Sequence, residues 1–356
     1  MSRKLPHLLM ILAFMLIVSL PLIPPLPAPA QLWQADCTTQ TGLPLACWLK
    51  AWVKIPSTFN TYFSDHYRLH QQEVHLLESA RLYLLNEKTF PNVLIGKEDW
   101  LYYTGENNIQ DYECTMPFTK AELAAIRERL LAWNERLQQR GIRFYVVIAP
   151  NKESIYPQYL PDRVQAGVRA CRIDQVLAEL QDAPLNVLDL RSPLQRAAQT
   201  AQVYHRTDTH WNSTGALVAA QTILARIQKD FPDLGVPSAE EYTREIREHS
   251  GDLAGFLPRD ARFVEREAFL VPLQPSAVVF EEGSGGTAVS SIAGSDLPRA
   301  VIFCDSFADA LKPYLSEHFS RAVYSRSFNL DFDLIEREQP DIVIFEVAQR
   351  YLTVLR

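Results

Sequence analysis

The chain has 356 residues, 47% apolar and 22% charged, which supplies a sizeable core for one large or two ordinary domains and excludes global disorder. A formal net charge of −7 argues against nucleic acid as a partner, because neutralising phosphates needs a basic face. With 13 glycines, 23 prolines and no internal period, a solenoid, a Gly-rich blade repeat and a collagen-like chain are also excluded.

Arg3 and Lys4 open the chain, residues 8–20 carry no charge, and Pro21, Pro24, Pro25, Pro27 and Pro29 follow. Basic, then apolar, then small is the order of an export signal over 1–30, either cut at Ala28-Pro29-Ala30 or kept as a membrane anchor. The expected location is therefore periplasmic or otherwise extracytoplasmic. In an oxidising compartment Cys37 can close a loop with Cys47, and Cys114 with Cys171, although spacing does not choose the connectivity. Cys304 is then the odd thiol, and none of the cysteines has metal-site spacing.

Residues 31–90 carry Trp48, Trp52, Phe59, Tyr62, Phe63 and Tyr67 at helical spacing and read as a helical N-terminal segment. From 91 to 356 strands and helices alternate. A helix is predicted over 120–140: Thr119 caps it, Glu122 completes a capping box, Phe118 can staple to Leu123, and Gly141 ends it. Leu123, Ile126, Leu130, Trp133 and Leu137 mark its apolar face. The unalternated run 144–148 reads as a buried strand. Helices over 173–180, 214–228, 307–315 and 330–338 and strands over 186–190, 300–303, 321–324 and 341–346 continue the rhythm. The fold class is α/β, a mostly parallel sheet with helices on both faces. Residues 233–297, with Gly283-Ser284-Gly285-Gly286, break the pattern and read as an irregular insertion, a lid or substrate loop.

In such sheets ligands gather at the carboxyl ends of strands. Two segments fall there: Thr207-Asp208-Thr209-His210-Trp211-Asn212, before a helix, and Phe303-Cys304-Asp305-Ser306-Phe307, at a strand-to-helix turn. Residues two apart in extended chain point to one side, so Asp208 can hold one nitrogen of His210 while the other faces a reactant. Ser306 is the matching nucleophile, with helix N–H groups beside it for an oxyanion. The ordinary alternatives are a surface Asp-His pair and a helix-capping Asp305 or Ser306.

Several blocks resemble one family in its order: residues 96–103 (Gly-Lys-Glu-Asp-Trp-Leu-Tyr-Tyr), Ala149-Pro150-Asn151-Lys152 with Ile155-Tyr156-Pro157, the 207–212 block with Gly215, Gly251-Asp252-Leu253-Ala254, and Asp305-Ser306-Phe307, after an upstream Asp65-His66-Tyr67-Arg68. Together they resemble the AlgX/AlgJ family of exported polysaccharide O-acetyltransferases and its DHHW-type relatives, which carry a permuted SGNH hydrolase-like domain. The resemblance covers about residues 60–350. It implies Ser306 as acyl-accepting nucleophile, His210 as general base and acid and Asp208 as its orienting carboxylate, with Asp-x-His before the serine, as in the family. It also implies a polysaccharide acceptor, a membrane-bound O-acyltransferase as acetyl donor, and no metal or organic cofactor. Cys304 stands where SGNH-type enzymes often have Gly, and the chain ends soon after the last strand, closer to AlgJ-like members than to those with a C-terminal carbohydrate-binding module. Arg326 offers contact to an anionic sugar or an oxyanion, against a surface salt bridge. Trp211 and Trp100 offer a sugar-stacking face, against core packing, and Asn212 offers an oxyanion donor, against helix capping. Rival readings are a carbohydrate esterase with the same residues and a non-catalytic export scaffold.

Overall fold

The computed structural model describes residues 78–258, 260–275, 281–282 and 287–356. The expected export segment 1–30, the Cys37–Cys47 loop and most of the 31–90 segment lie outside the described residues. The chain divides into two compact units, Met1–Glu87 and Lys88–Arg356. In the first, 78–83 are helical; in the second, Thr89–Phe90 are already a strand, inside the span read from sequence as a helical segment. Among the described residues no helix is long and apolar enough to cross a membrane.

The second unit opens with a small antiparallel sheet of β1 (Thr89–Phe90), β2 (Val93–Ile95) and β3 (Leu101–Tyr103). There follow α1 (Asn108–Tyr112), α2 (Lys120–Gln138), β4 (Arg143–Ala149), α3 (Lys152–Ile155), α4 (Arg172–Leu180), β5 (Asn186–Asp189), α5 (Arg191–Ala197) and α6 (Ser213–Ile227). Next come β6 (Tyr242–His249), β7 (Glu265–Pro272), β8 (Glu281–Glu282), β9 (Thr287–Ser291), β10 (Arg299–Cys304), α7 (Ala308–Leu315), β11 (Arg321–Arg326), α8 (Phe332–Glu338) and β12 (Ile342–Ala348). The main sheet runs β5-β4-β12-β10-β11-β9-β8. Its first five strands are parallel, and β9 and β8 close one edge antiparallel.

Alternation along the buried strands builds two cores, one on each face. Tyr145, Val147 and Ala149 of β4 join Ile302 and Ile344 in packing on α6 and α7 through Leu217, Ile223 and Leu311. Phe144, Val146 and Ile148 join Val301, Phe303, Val343 and Phe345 on the other face, against α2, α4 and α8 through Ile126, Leu130, Val176 and Leu334. The capping box of α2 forms as predicted, with Glu122 N–H on Thr119 and the Glu122 carboxylate accepting from Thr119 N–H at 2.8 Å. Gly141, at φ +74°, turns the chain into β4. Cys114 and Cys171 are joined in a disulfide.

The stretch 233–297, expected to be irregular, is more ordered than its sequence signals. It contains the β6–β7 pair, in register from Tyr242↔Pro272 to His249↔Glu265, and the antiparallel strands β8 and β9 of the main sheet. Strand β6 reads Tyr-Thr-Arg-Glu-Ile-Arg-Glu-His and is exposed over most of its length, so it shows no apolar alternation. Its pairing with β7 makes it a strand.

Candidate active site

Strands β4, β12 and β10 are neighbours, and their carboxyl ends carry Asn151-Lys152, Gln349-Arg350 and Asp305-Ser306. At the end of β10, Asp305 is buried and fixes the turn. Its Oδ1 accepts from Phe307 N–H at 2.9 Å and its Oδ2 from Ala348 N–H at 2.7 Å, tying the turn to β12. Its own N–H donates to Glu346 Oε2 at 3.1 Å. Glu346 is pushed well above the ordinary carboxylate range, by burial first and by the neighbouring Asp305 second. Ser306, next in the chain, is half-buried. Its backbone N–H donates to no acceptor among the described residues.

The 203–212 loop brings the second half of the site. Its ends meet in the Tyr204↔Trp211 bridge. Lys152, buried, donates from Nζ to the carbonyls of His205, Arg206 and Asp208 at 3.1, 3.2 and 2.6 Å. Burial pulls this ammonium down to about 8, against the pull of Glu153, Asp208 and other carboxylates. From below, Glu265 Oε1 accepts from Thr207 N–H and Oγ1 at 2.9 and 2.7 Å. Gly251 N–H donates to Thr207 Oγ1 at 3.0 Å, and a Cβ on Gly251 would stand 2.4 Å from the Thr207 carbonyl, so only glycine fits. Asp252 completes the frame by accepting from Thr209 N–H at 2.8 Å and Thr209 Oγ1 at 2.6 Å.

This frame aligns three side chains. His210 Nε2 lies 2.7 Å from Ser306 Oγ, and His210 Nδ1 lies 2.6 Å from Asp208 Oδ1. Asp208 Oδ1 also accepts from His210 N–H at 3.0 Å, and Oδ2 accepts from Asp252 N–H at 3.0 Å. Burial opposes ionisation of Asp208, but its contacts with His210 and His249 outweigh this and hold the carboxyl well below its usual range. With Nδ1–H directed to a carboxylate, Nε2 is the free acceptor facing the hydroxyl. The arrangement can take a proton from Ser306 and return it.

The other expected residues fall differently. Trp211 is fully buried; its Nε1 donates to Phe307 O at 3.1 Å and its ring meets Phe307 edge-on at 4.8 Å. It wedges the two halves of the site together and has no face for a sugar, which corrects the substrate-stacking reading. Asn212 Oδ1 caps α6 by accepting from Gly215 N–H at 3.1 Å, and Nδ2 donates to Gln202 O at 3.0 Å. Its amide is committed to the cap, so the oxyanion-donor reading is corrected as well. Trp100 is buried and stacks on Tyr159 at 4.6 Å. Arg326, exposed at the end of β11 and level with Cys304, is paired with Asp309 of α7. Cys304 Sγ turns away toward Ser325 O at 3.7 Å, and burial pushes its thiol far up, so it is inert.

Sequence reasoning missed Glu265 and Arg350, and gave Asp305 only as a helix cap. Arg350 is buried just past β12 with its guanidinium 5.1 Å from the centre of the Phe307 ring. The signal in the sequence was thin: Asp305 borders the serine, and Glu265 sits in an unassigned stretch.

The domain, a mostly parallel sheet with Ser306 at the end of β10 and His210 brought to it on the loop between α5 and α6, is of the SGNH hydrolase-like class. The model of the family "SGNH hydrolase-like domain, acetyltransferase AlgX" matches residues 93–328, and the chain belongs to that family. It is 29% identical over 321 residues to a probable alginate O-acetylase AlgJ of Pseudomonas syringae pv. tomato, covering 85% of this chain and 78% of the relative. Among solved structures, PatB1 of Bacillus cereus superposes with a TM-score of 0.53 at 17% identity, over 74% of this chain and 98% of that one. A DHHW family protein of Eubacterium siraeum superposes with a TM-score of 0.52 at 16% identity, over 75% of this chain and 93% of that one.

Proposed function

We propose that this protein is a polysaccharide O-acetyltransferase that works through a serine acyl-enzyme outside the cytoplasm. One observation carries the reading: in a chain of an acetyltransferase family, Ser306 Oγ, His210 and Asp208 form a continuous hydrogen-bonded line of 2.7 and 2.6 Å. In the first half-reaction Ser306 Oγ attacks the acetyl carbonyl and its proton passes to His210 Nε2. The tetrahedral oxyanion takes a hydrogen bond from Ser306 N–H, and the donor's leaving group departs with the proton from His210. In the second half, an acceptor hydroxyl gives its proton to His210, attacks the acetyl-serine carbonyl, and Ser306 Oγ recovers a proton as the ester leaves.

The domain doing this chemistry is 91–356, with 1–30 as its export signal or anchor. Acetyl-CoA belongs to the cytoplasm, so a membrane-bound O-acyltransferase is the proposed source of acetyl groups. Alginate, named for the relatives, is the first acceptor to try. Arg326 is proposed to meet an anionic sugar at the edge of the site.

The test is the intact mass of the exported chain after incubation with a small activated acetyl ester, beside Ser306→Ala. One acetyl group on the wild type alone supports the acyl-enzyme, and its discharge by polysaccharide faster than by water supports a transferase over an esterase. Equal labelling of both proteins, or of neither, refutes the proposal and favours a binding scaffold.

A further inference from the structure

A second cluster of chemistry-bearing side chains lies against the far side of Asp208. His205 from the 203–212 loop, His249 from the end of β6, and Glu265 and Glu267 from the start of β7 converge there. One ligand atom of each lies within 4.8 Å of the others. Strand geometry produces the meeting: Glu265 and Glu267, two apart, share one face of β7, and the hairpin register sets His249 opposite Glu265. The two imidazole rings stack with centroids 4.1 Å apart, and His205 Nδ1 touches Glu267 Oε1.

The four groups are not equally engaged. Glu265 is saturated: Oε1 accepts from Thr207 N–H and Oγ1, and Oε2 from Arg206 N–H at 2.9 Å and Gln202 Nε2 at 3.3 Å. His205 Nδ1, His249 Nε2 and Glu267 Oε1 are buried atoms, and none makes a well-formed hydrogen bond among the described residues. His205 as a whole is only 8% exposed. His249 Nε2 stands 3.5 Å from Asp208 Oδ2, at the outer limit of hydrogen bonding. Glu267 Oε2 is steadied by Asn212 Nδ2 at 3.3 Å, which leaves Oε1 pointing into the cluster. Two imidazole nitrogens and one carboxylate oxygen, buried and converging, form a donor set suited to borderline divalent metals. In a four-coordinate zinc site, bonds of about 2.0–2.2 Å put neighbouring ligand atoms about 3.3 Å apart, so loading requires the two imidazoles to turn out of their stack and His205 Nδ1 to part from Glu267 Oε1.

From this we infer that His205, His249 and Glu267 form a site for one divalent cation of the zinc class, with water in the fourth position and Glu265 holding the loop beneath it. The cation would clip the β6–β7 hairpin to the loop that carries Asp208 and His210. The family resemblance implied no metal, and spacing could not show this cluster, because these four residues are brought together only by the hairpin and the loop. The inference is independent of acyl transfer and survives if that reading fails.

The test uses the exported chain purified without a histidine tag, stripped with a chelator and then loaded with Zn²⁺ or Co²⁺. One equivalent of metal retained through gel filtration is expected, with visible d–d bands for Co²⁺ and a melting temperature that rises on loading and falls on chelation. His249→Gln and Glu267→Gln should each weaken retention by about tenfold or more. Asp252→Asn should not, although Asp208, His210 and Asp252 form a neighbouring group. Failure of the wild type to retain stoichiometric metal overturns the proposal, as does full retention by the double variant. Loss in Asp252→Asn alone assigns the ion to the neighbouring group and also overturns it.

Discussion

Replacing Asp208 by Asn probes the line of three side chains while changing hardly any volume. Asp208 accepts from His210 Nδ1 at 2.6 Å and His210 N–H at 3.0 Å on one oxygen, and from Asp252 N–H at 3.0 Å on the other. An amide has one oxygen for these three donors. With its NH₂ toward His210, the ring must carry its proton on Nε2, which then points at Ser306 and cannot accept the hydroxyl proton. With its NH₂ toward Asp252, the tautomer is kept, but the imidazolium loses its counter-charge and the Asp252 N–H loses its acceptor. Either orientation orphans one backbone N–H, so Asp208→Asn should lose about 1–3 kcal/mol of stability. The acylation rate should fall by about 10²–10⁴, equivalent to roughly 3–5.5 kcal/mol of barrier. Stopped-flow mass spectrometry of acetyl-enzyme formation, with a urea melt of the same sample, measures both. A variant that acylates within about threefold of wild type would show that Asp208 does not orient the base.

Gly251→Ala places a Cβ 2.4 Å from the Thr207 carbonyl and 2.5 Å from Asp208 Cβ. It should shift the loop, cost about 1–3 kcal/mol by thermal melt and lower kcat more than it raises KM. Glu153 is buried, and burial raises its carboxyl to about 7, so the folded state binds a proton that the unfolded chain gives up at lower pH. The stability that Glu153 contributes is then greatest below the ordinary carboxylate pKa and declines as pH rises toward about 7. Glu153→Gln, which keeps an acceptor for Asn108 Nδ2 at 2.9 Å, should flatten that decline in melts from about pH 5 to about pH 8. Cys114–Cys171 spans a separation of 57 residues. For a loop of that length, the Cys114→Ser, Cys171→Ser pair should lose about 4 kcal/mol in a urea titration, and no loss would mean the unfolded chain is already constrained there.

The alternation of helices and strands was written in the sequence because a buried parallel strand must be apolar on both faces, and 144–148 and 342–345 are. The α2 cap was legible for the same local reason, since Thr119 and Glu122 meet within one turn. Asp208 and His210 were legible as a pair by their spacing, although the chain bends over 206–210 instead of running extended and the Asp208 carboxylate, accepting from His210 N–H, fixes their relation. Their junction with Ser306, 96 positions away, was set by the sheet order that makes β10, β12 and β4 neighbours. The charged strand β6 was invisible, because exposed strands have no apolar alternation to read. Trp211 and Asn212 had two chemically sound uses each. Tertiary structure chose between them by placing Phe307 O beside the indole and Gly215 N–H beside the amide. Local chemistry thus named the groups able to move a proton. Only the folded chain, by burying some and aiming others, decided which of them face one another.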